Sequence, residues 1–252
     1  MKYKNISPWL SFRDQGIKNY ESRWVFFPYA GATSAVMYPI ANKMDSNVEV
    51  LIVDLPGRGK CIKEPLVDTI DTITENLVEE LSQLPELPTY FFGYSLGTLI
   101  AYELALALKG KNIKQLVLAA GSAPHDIQKR KPLYNLEKED FWNQVKEYGG
   151  LPKEILNEPE LLDFIEPILR ADFKVIDCYN YKPQKILNIP IIAIAGSNDF
   201  VCPPKYVENW KMYTTNEFNY FEFDGGHFFM NNNMNELHKL MKEKTSNYTA
   251  IN

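Results

Sequence analysis

Phe92-Gly93-Tyr94-Ser95-Leu96-Gly97-Thr98 carries the spacing G-x-S-x-G. The apolar run Tyr90-Phe91-Phe92 in front of it predicts a buried strand, and Leu99 to Leu106 behind it predicts a helix. Between a strand and a helix this spacing is a nucleophile elbow, a very tight turn that presents its central serine. Glycine at the flanking positions lets strand and helix approach closely, while the serine takes strained backbone geometry. Ser95 Oγ then stands above the sheet at a helix N-terminus, where free N–H groups and the helix dipole favour a developing oxyanion. The competing reading is a glycine-rich turn with a purely structural serine.

The elbow sits in a chain of 252 residues, long enough for one large α/β domain with a full core. Composition is that of a globular protein, 45% apolar and 23% charged, with a net charge of −5 and no basic block. Nucleic acid and anionic membrane are therefore poor candidates for a main partner. Cys61, Cys178 and Cys202 are far apart and match no metal-ligand or C-x-x-C spacing. An odd, sparse set predicts reduced, buried thiols and a cytoplasmic protein. Met1 to Asn5 is followed by no apolar run, so no signal peptide is expected. Tyr90 to Leu108 holds a single charge, Glu103, but Gly93, Ser95 and Gly97 divide it into strand, turn and helix rather than a membrane span.

Outward from the elbow, strand-like and helix-like runs alternate. Strands are expected at Trp24–Phe27, Val48–Val53, Tyr90–Phe92, Gln115–Ala120, Ile191–Ala195 and Phe218–Phe223. Helices are expected near Ser34–Met44, at Thr69–Leu84, and from about Met234 to Lys244. Alternating β and α with nearly continuous apolar strands predicts a mostly parallel sheet with helices on both faces. Functional loops of such sheets lie at the strand C-terminal ends, and Ser95, Asp199 and His227 each follow an expected strand there. From about 125 to 182 no strand is expected. Phe141-Trp142-Val145-Tyr148 and Leu161 to Leu169 have helical spacing, which predicts a helical lid inserted in a single domain spanning 1–252.

A serine hydroxyl needs a base, and the chain offers His125, His227 and His238. In the chain order of α/β-hydrolases, Ser then acid then His, His227 in Asp224-Gly225-Gly226-His227-Phe228 fits best. His238 falls inside the last helix, and His125 opens the insertion, where it could line a pocket. Asp199 is the expected acid, with Asp224 as its rival and a loop or helix-capping role as its alternative. The expected oxyanion donors are the backbone N–H of Leu96 and, from the small-residue loop Pro28-Tyr29-Ala30-Gly31-Ala32, the N–H of Ala30. Catalytic Ser95, Asp199 and His227 need no metal or organic cofactor.

Several stretches beyond the elbow resemble the type II, or editing, thioesterases of nonribosomal-peptide and polyketide synthesis. They are Ser7-Pro8-Trp9-Leu10, Phe27-Pro28-Tyr29-Ala30-Gly31, Leu55-Pro56-Gly57-Arg58-Gly59 with Glu64-Pro65, Gly149-Gly150-Leu151-Pro152, Leu169-Arg170-Ala171-Asp172-Phe173 and Gly225-Gly226-His227-Phe228. The resemblance covers nearly the whole chain and implies an α/β-hydrolase fold. It also implies hydrolysis of stalled or wrongly loaded acyl or aminoacyl thioesters from the phosphopantetheine arm of carrier proteins. Tyr29 and Tyr94 stand where relatives commonly carry histidine, and Ala32 replaces a frequent glycine. Tyr29, Tyr94 and Phe228 are the expected substrate-binding residues. Carrier domains are usually acidic, and Lys129-Arg130-Lys131 is the one basic candidate to meet them, although it reads better as a solvated charge run. A monomer is expected. A stand-alone esterase, an acyltransferase and a catalytically dead binding protein of the same fold remain alternatives.

Overall fold

The computed structural model describes residues 8–13, 19–183 and 186–249; residues 1–7, on which the leader-peptide reading and Ser7 fall, lie outside them. Seven strands form one sheet in the order β1-β3-β2-β4-β5-β6-β7. They are β1 (Leu10–Phe12), β2 (Ser22–Phe27), β3 (Val48–Val53), β4 (Thr89–Tyr94), β5 (Ile113–Ala119), β6 (Ile191–Gly196) and β7 (Phe218–Phe223). All pairings are parallel except β1 with β3. The six strands expected from hydrophobic runs are present. β1 is an addition that hydropathy does not reveal, because three residues are too few to show a period. It is identified by its pairing, with Ser11 opposite Ile52.

The strands are apolar on both sides because both sides are covered. Val25, Phe27, Phe91, Leu116 and Leu118 point into one core layer, and Trp24, Phe26, Tyr90, Phe92 and Val117 into the other. Helices α1 (Ile70–Ser82) and α2 (Leu96–Ala107) cover the first face. Thr69 caps α1 by accepting the Thr72 N–H, and Ile73 and Leu77, one turn apart, bury its inner stripe. In contrast, α2 is buried nearly all round, which is why its sequence imitates a membrane span. Among the described residues no helix is long and apolar enough to cross a membrane. The expected helix near 34–44 is broken into a 3₁₀ turn (Ser34–Met37) and a single α-turn (Tyr38–Ala41). Pro39, in that turn's first positions, has no N–H to carry one helix through.

Among the described residues between β5 and β6 there is no strand of the sheet. Two amphipathic helices, α3 (Lys138–Tyr148) and α4 (Pro159–Asp177), dominate that segment. They clasp each other through Trp142 Nε1, which donates to Glu166 at 3.0 Å, and Arg170, whose guanidinium lies 4.2 Å from the Phe141 ring centre. Arg170 also donates to the carbonyls of Tyr134 and Leu136, tying the preceding loop to α4. The last helix, α5 (Met234–Thr249), runs past the expected end at Lys244, and its Leu237 and Met241 pack on the second sheet face.

At the elbow, strand and helix backbones meet with no room for a side chain. A Cβ on Gly97 would lie 2.0 Å from the Phe27 carbonyl oxygen, and one on Gly93 2.4 Å from that of Gly97. Both contacts are backbone and cannot swing aside. Gly97→Ala is therefore expected to cost ~3 kcal/mol or more, seen as a fall in Tm of about 6 °C or more in thermal unfolding. An unchanged Tm would show that β2 and α2 can separate freely.

Candidate active site

Ser95 has φ 53° and ψ −116°, strained for a residue with a side chain. The strain is held from both sides. Its N–H donates to Ala119 O at 2.9 Å, and its carbonyl accepts from Thr98 Oγ1 at 2.7 Å. This geometry turns Oγ out of the sheet toward the loops that follow β6 and β7.

His227, in the glycine loop after β7, brings Nε2 to 3.0 Å from Ser95 Oγ. Its Nδ1 lies 2.8 Å from Asp199 Oδ2, in the loop after β6. A proton on Nδ1 satisfies the carboxylate and leaves the Nε2 lone pair facing the hydroxyl. Asp199 is 3% exposed, and its other oxygen accepts the N–H groups of Val201 at 2.9 Å and Cys202 at 2.8 Å. The capping and partner readings of Asp199 thus describe two oxygens of one carboxylate. Its rival Asp224 is exposed and takes a 3.4 Å contact from Ser197 Oγ. His125 stacks on Tyr213, with Nδ1 2.8 Å from the phenol oxygen, and does not line the cavity over Ser95. His238 lies on α5, where burial lowers its pKa.

Tyr94 corrects the sequence reading. It is fully buried and does not line the cavity, so it is not a substrate-binding residue. Strand alternation turns it to the second core face, opposite to Gly93's side of β4. There its hydroxyl donates to the carbonyl of His227 at 2.6 Å, and burial pushes its pKa well above the usual phenol value. It supports the imidazole loop from behind.

The loop after β2 is held by two buried carboxylates. Ser34 N–H donates to Asp54 Oδ1 at 2.6 Å, and Gly31 N–H donates to Asp172 Oδ2 at 2.6 Å. Asp172, on α4, is fully buried and forms a two-point ion pair with Arg58, whose Nη2 donates to Oδ1 at 2.6 Å. One ion pair therefore joins the Leu55–Gly59 stretch, the helical insertion and the Ala30–Gly31 turn. Asp172 occupies the Gly31 N–H, whereas the Ala30 N–H has no acceptor among the described residues. Leu96, first residue of α2, carries one of the orphan donors of a helix start. These are the two donors expected from the sequence. The contributions of Arg58 and Asp172 were not readable there, because nothing local shows that positions 114 apart meet in the interior.

A cavity of about 330 Å³ opens over Ser95, between the Tyr29–Thr33 loop and the insertion. Tyr29 and Phe228 line it, their rings edge to face at 5.1 Å, with Phe228 in turn against the His227 ring at 5.2 Å. Val145, Leu151, Ile165, Leu169 and Phe173 make the insertion's wall apolar. Arg130 is half-buried and also lines it, whereas Lys129 and Lys131 are exposed, as a solvated charge run expects. Among the described residues no group of three or more His, Cys, Asp or Glu is placed to hold a metal ion.

Two variants probe the supports behind these groups. Tyr94→Phe removes one buried hydrogen bond, worth about 1 kcal/mol. Expected is a Tm lower by about 2–4 °C with a several-fold fall in kcat and little change in KM. Replacing both Arg58 and Asp172 by apolar residues, Arg58→Met with Asp172→Leu, should leave Tm within about 4 °C, because a buried pair exchanged for packed apolar groups is near neutral. The same variant should lose kcat by about tenfold or more, since the Ala30–Gly31 turn loses its acceptor. Full activity in the folded double variant would show that the clamp serves stability alone.

Residues 23–245 match the family model of the thioesterase domain. The chain is 30% identical over 217 residues to the gramicidin S biosynthesis protein GrsT of Aneurinibacillus migulanus, covering 85% of each. It is 29% identical over 216 residues to a probable cadicidin biosynthesis thioesterase of Streptomyces griseus, covering 85% of this chain and only 60% of that relative's length. Among solved structures, the RedJ thioesterase from the prodiginine biosynthetic pathway of Streptomyces coelicolor superposes with a TM-score of 0.82 at 29% identity, over 88% of this chain and 89% of that one. The α/β-hydrolase fold expected from the sequence is the fold of these neighbours. With the family match running from β2 into α5, the chain belongs to the thioesterase family.

Proposed function

We propose that this protein is a type II thioesterase that hydrolyses stalled or wrongly loaded acyl groups from the phosphopantetheine arm of carrier proteins in nonribosomal peptide or polyketide synthesis. The observation that carries the reading is the relay Ser95–His227–Asp199, with contacts of 3.0 and 2.8 Å, at the floor of a largely apolar cavity. His227 Nε2 takes the Ser95 proton as Oγ attacks the thioester carbonyl. The Leu96 and Ala30 N–H groups hold the oxyanion that forms. The carbon–sulfur bond breaks, and the leaving thiolate receives the proton from His227. A water molecule, deprotonated by the same nitrogen, then attacks the acyl-enzyme; the bond from the acyl carbon to Ser95 Oγ breaks, Oγ takes the proton back from His227, and a carboxylic acid leaves. Asp199 keeps the imidazole oriented and stabilises its charged form. Each step uses this chain's own groups and water, so no metal or organic cofactor is required.

The carrier-protein partner is supported by the relatives' names, which place them in cadicidin, gramicidin S and prodiginine biosynthesis. Free cysteines, two of them buried, support the cytoplasmic setting expected from the sequence.

The test presents one acetyl group on a phosphopantetheinylated carrier protein, on coenzyme A and as a nitrophenyl ester. Expected is a clear preference for the carrier-bound thioester and a loss of about 10³-fold or more in Ser95→Ala. Equal or faster turnover of the free ester would replace this reading with a general esterase. Undiminished activity of Ser95→Ala would remove the serine from the mechanism.

A further inference from the structure

His227 is held from more than one direction. Asp199 meets Nδ1, and Tyr94 donates to the backbone carbonyl from the core side. On the cavity side the imidazole meets the Phe228 ring, with centres 5.2 Å apart and planes at 86°. That ring hangs on two side-chain torsions and takes its place from its neighbours. The Tyr29 ring, on the loop after β2, is 5.1 Å away, and Gly150 of the helical insertion lies against it as well.

Gly149 and Gly150 follow the end of α3 and differ in their surroundings. Both have positive φ, 76° and 89°. A Cβ on Gly149 would meet nothing within 4 Å, so glycine there answers to backbone conformation alone. A Cβ on Gly150 would lie 2.2 Å from Phe228 Cζ and 2.5 and 2.8 Å from its two Cε atoms. Carbon atoms in contact sit about 3.5–4.0 Å apart, so a side chain at Gly150 would push the ring away. The insertion thus reaches the imidazole through one ring, in the order Gly150, Phe228, His227.

We infer that Gly150 and Phe228 are positioning residues, through which the insertion holds the His227 ring against Ser95. The inference rests on the Ser95–His227–Asp199 relay and adds the insertion to its supports. One hydrogen bond at Nδ1 fixes a distance but not the tilt of the imidazole. The Phe228 ring limits that tilt on the cavity side and keeps Nε2 at 3.0 Å from Ser95 Oγ. A misplacement of about 1 Å at such a contact can cost about 10²-fold in rate.

The experiment sets Gly150→Ala beside Gly149→Ala. Both place a side chain at positive φ, and only the first meets Phe228. The readouts are kcat and KM on an acetyl carrier protein, the rate at which a small fluorophosphonate labels Ser95, and Tm. Expected for Gly150→Ala is a fall of about tenfold or more in kcat and in labelling rate, with KM within about threefold. Gly149→Ala carries the same backbone strain, so its Tm should be similar while both rates stay within about threefold. Phe228→Ala should slow both rates several-fold. In that background Gly150→Ala should cost no more than Gly149→Ala does, because the ring it displaces is gone. Equal losses in the two glycine variants, full activity of Phe228→Ala, or a Gly150→Ala loss undiminished without the ring would each overturn the inference. So would a Gly150→Ala loss confined to KM with labelling intact, the mark of a ring swung into the cavity. Labelling needs no carrier protein. An unmutated protein that labels at Ser95 but spares the acetyl carrier would therefore sink the thioesterase reading, and the labelling rates would still decide this one. A Ser95 that takes no label would remove the relay and this inference together.

Discussion

The strained turn at Ser95 is the constraint on which the rest of the site depends. A residue at φ 53° persists only where its surroundings over-determine it. Here β4 is hydrogen-bonded on both sides, by β2 and β5, and α2 is clamped against Phe27 through the bare face of Gly97. Relaxing the turn would mean separating a central strand from a helix whose faces are nearly all buried. The serine is thus held up by the folding energy of the sheet. The loops after β2, β6 and β7 need only meet a point that is already fixed.

Those loops meet it through a repeated device. Asp54, Asp172, Asp177 and Asp199 each accept one or more backbone N–H groups from a loop near the cavity. Irregular backbone near a core has donors with no partner in a helix or strand. A carboxylate accepts several at once, and charge makes each bond stronger than a neutral one. Asp172 does this across the sheet and insertion, joining Gly31 and Arg58. Asp199 does it while also orienting His227. The cavity walls are apolar, but their positions are set by buried ionic bonds.

Parts of this arrangement were legible in the residues, and the reasons differ. Asp199 and His227 were readable because each closes a recognisable strand and stands in the right chain order behind Ser95. Tyr94 is not a pocket residue, and the sequence does not show it because β4 runs almost wholly apolar and is buried at every position, so no alternation marks which side each residue faces. Its orientation becomes known only when β4 is flanked and both layers are assigned. In the run Lys129–Lys131 the outer two residues are exposed, and the half burial of Arg130 at the cavity has no local signal in three consecutive bases. The helix expected near residues 34–44 breaks because Pro39 lacks the N–H that a continuous helix needs.

Local chemistry, carried by single stretches of chain, determined the strand-to-helix elbow, the alternation that makes a parallel sheet, the helical character of the insertion and the order serine, acid, histidine. Each of these is a property of neighbouring residues and of the backbone geometry they permit. Tertiary structure alone decided which charges meet in the interior, which face a strand residue presents, and what the insertion covers. Those outcomes depend on contacts between residues such as Gly31 and Asp172, 141 positions apart, and no local preference encodes a distance of that kind.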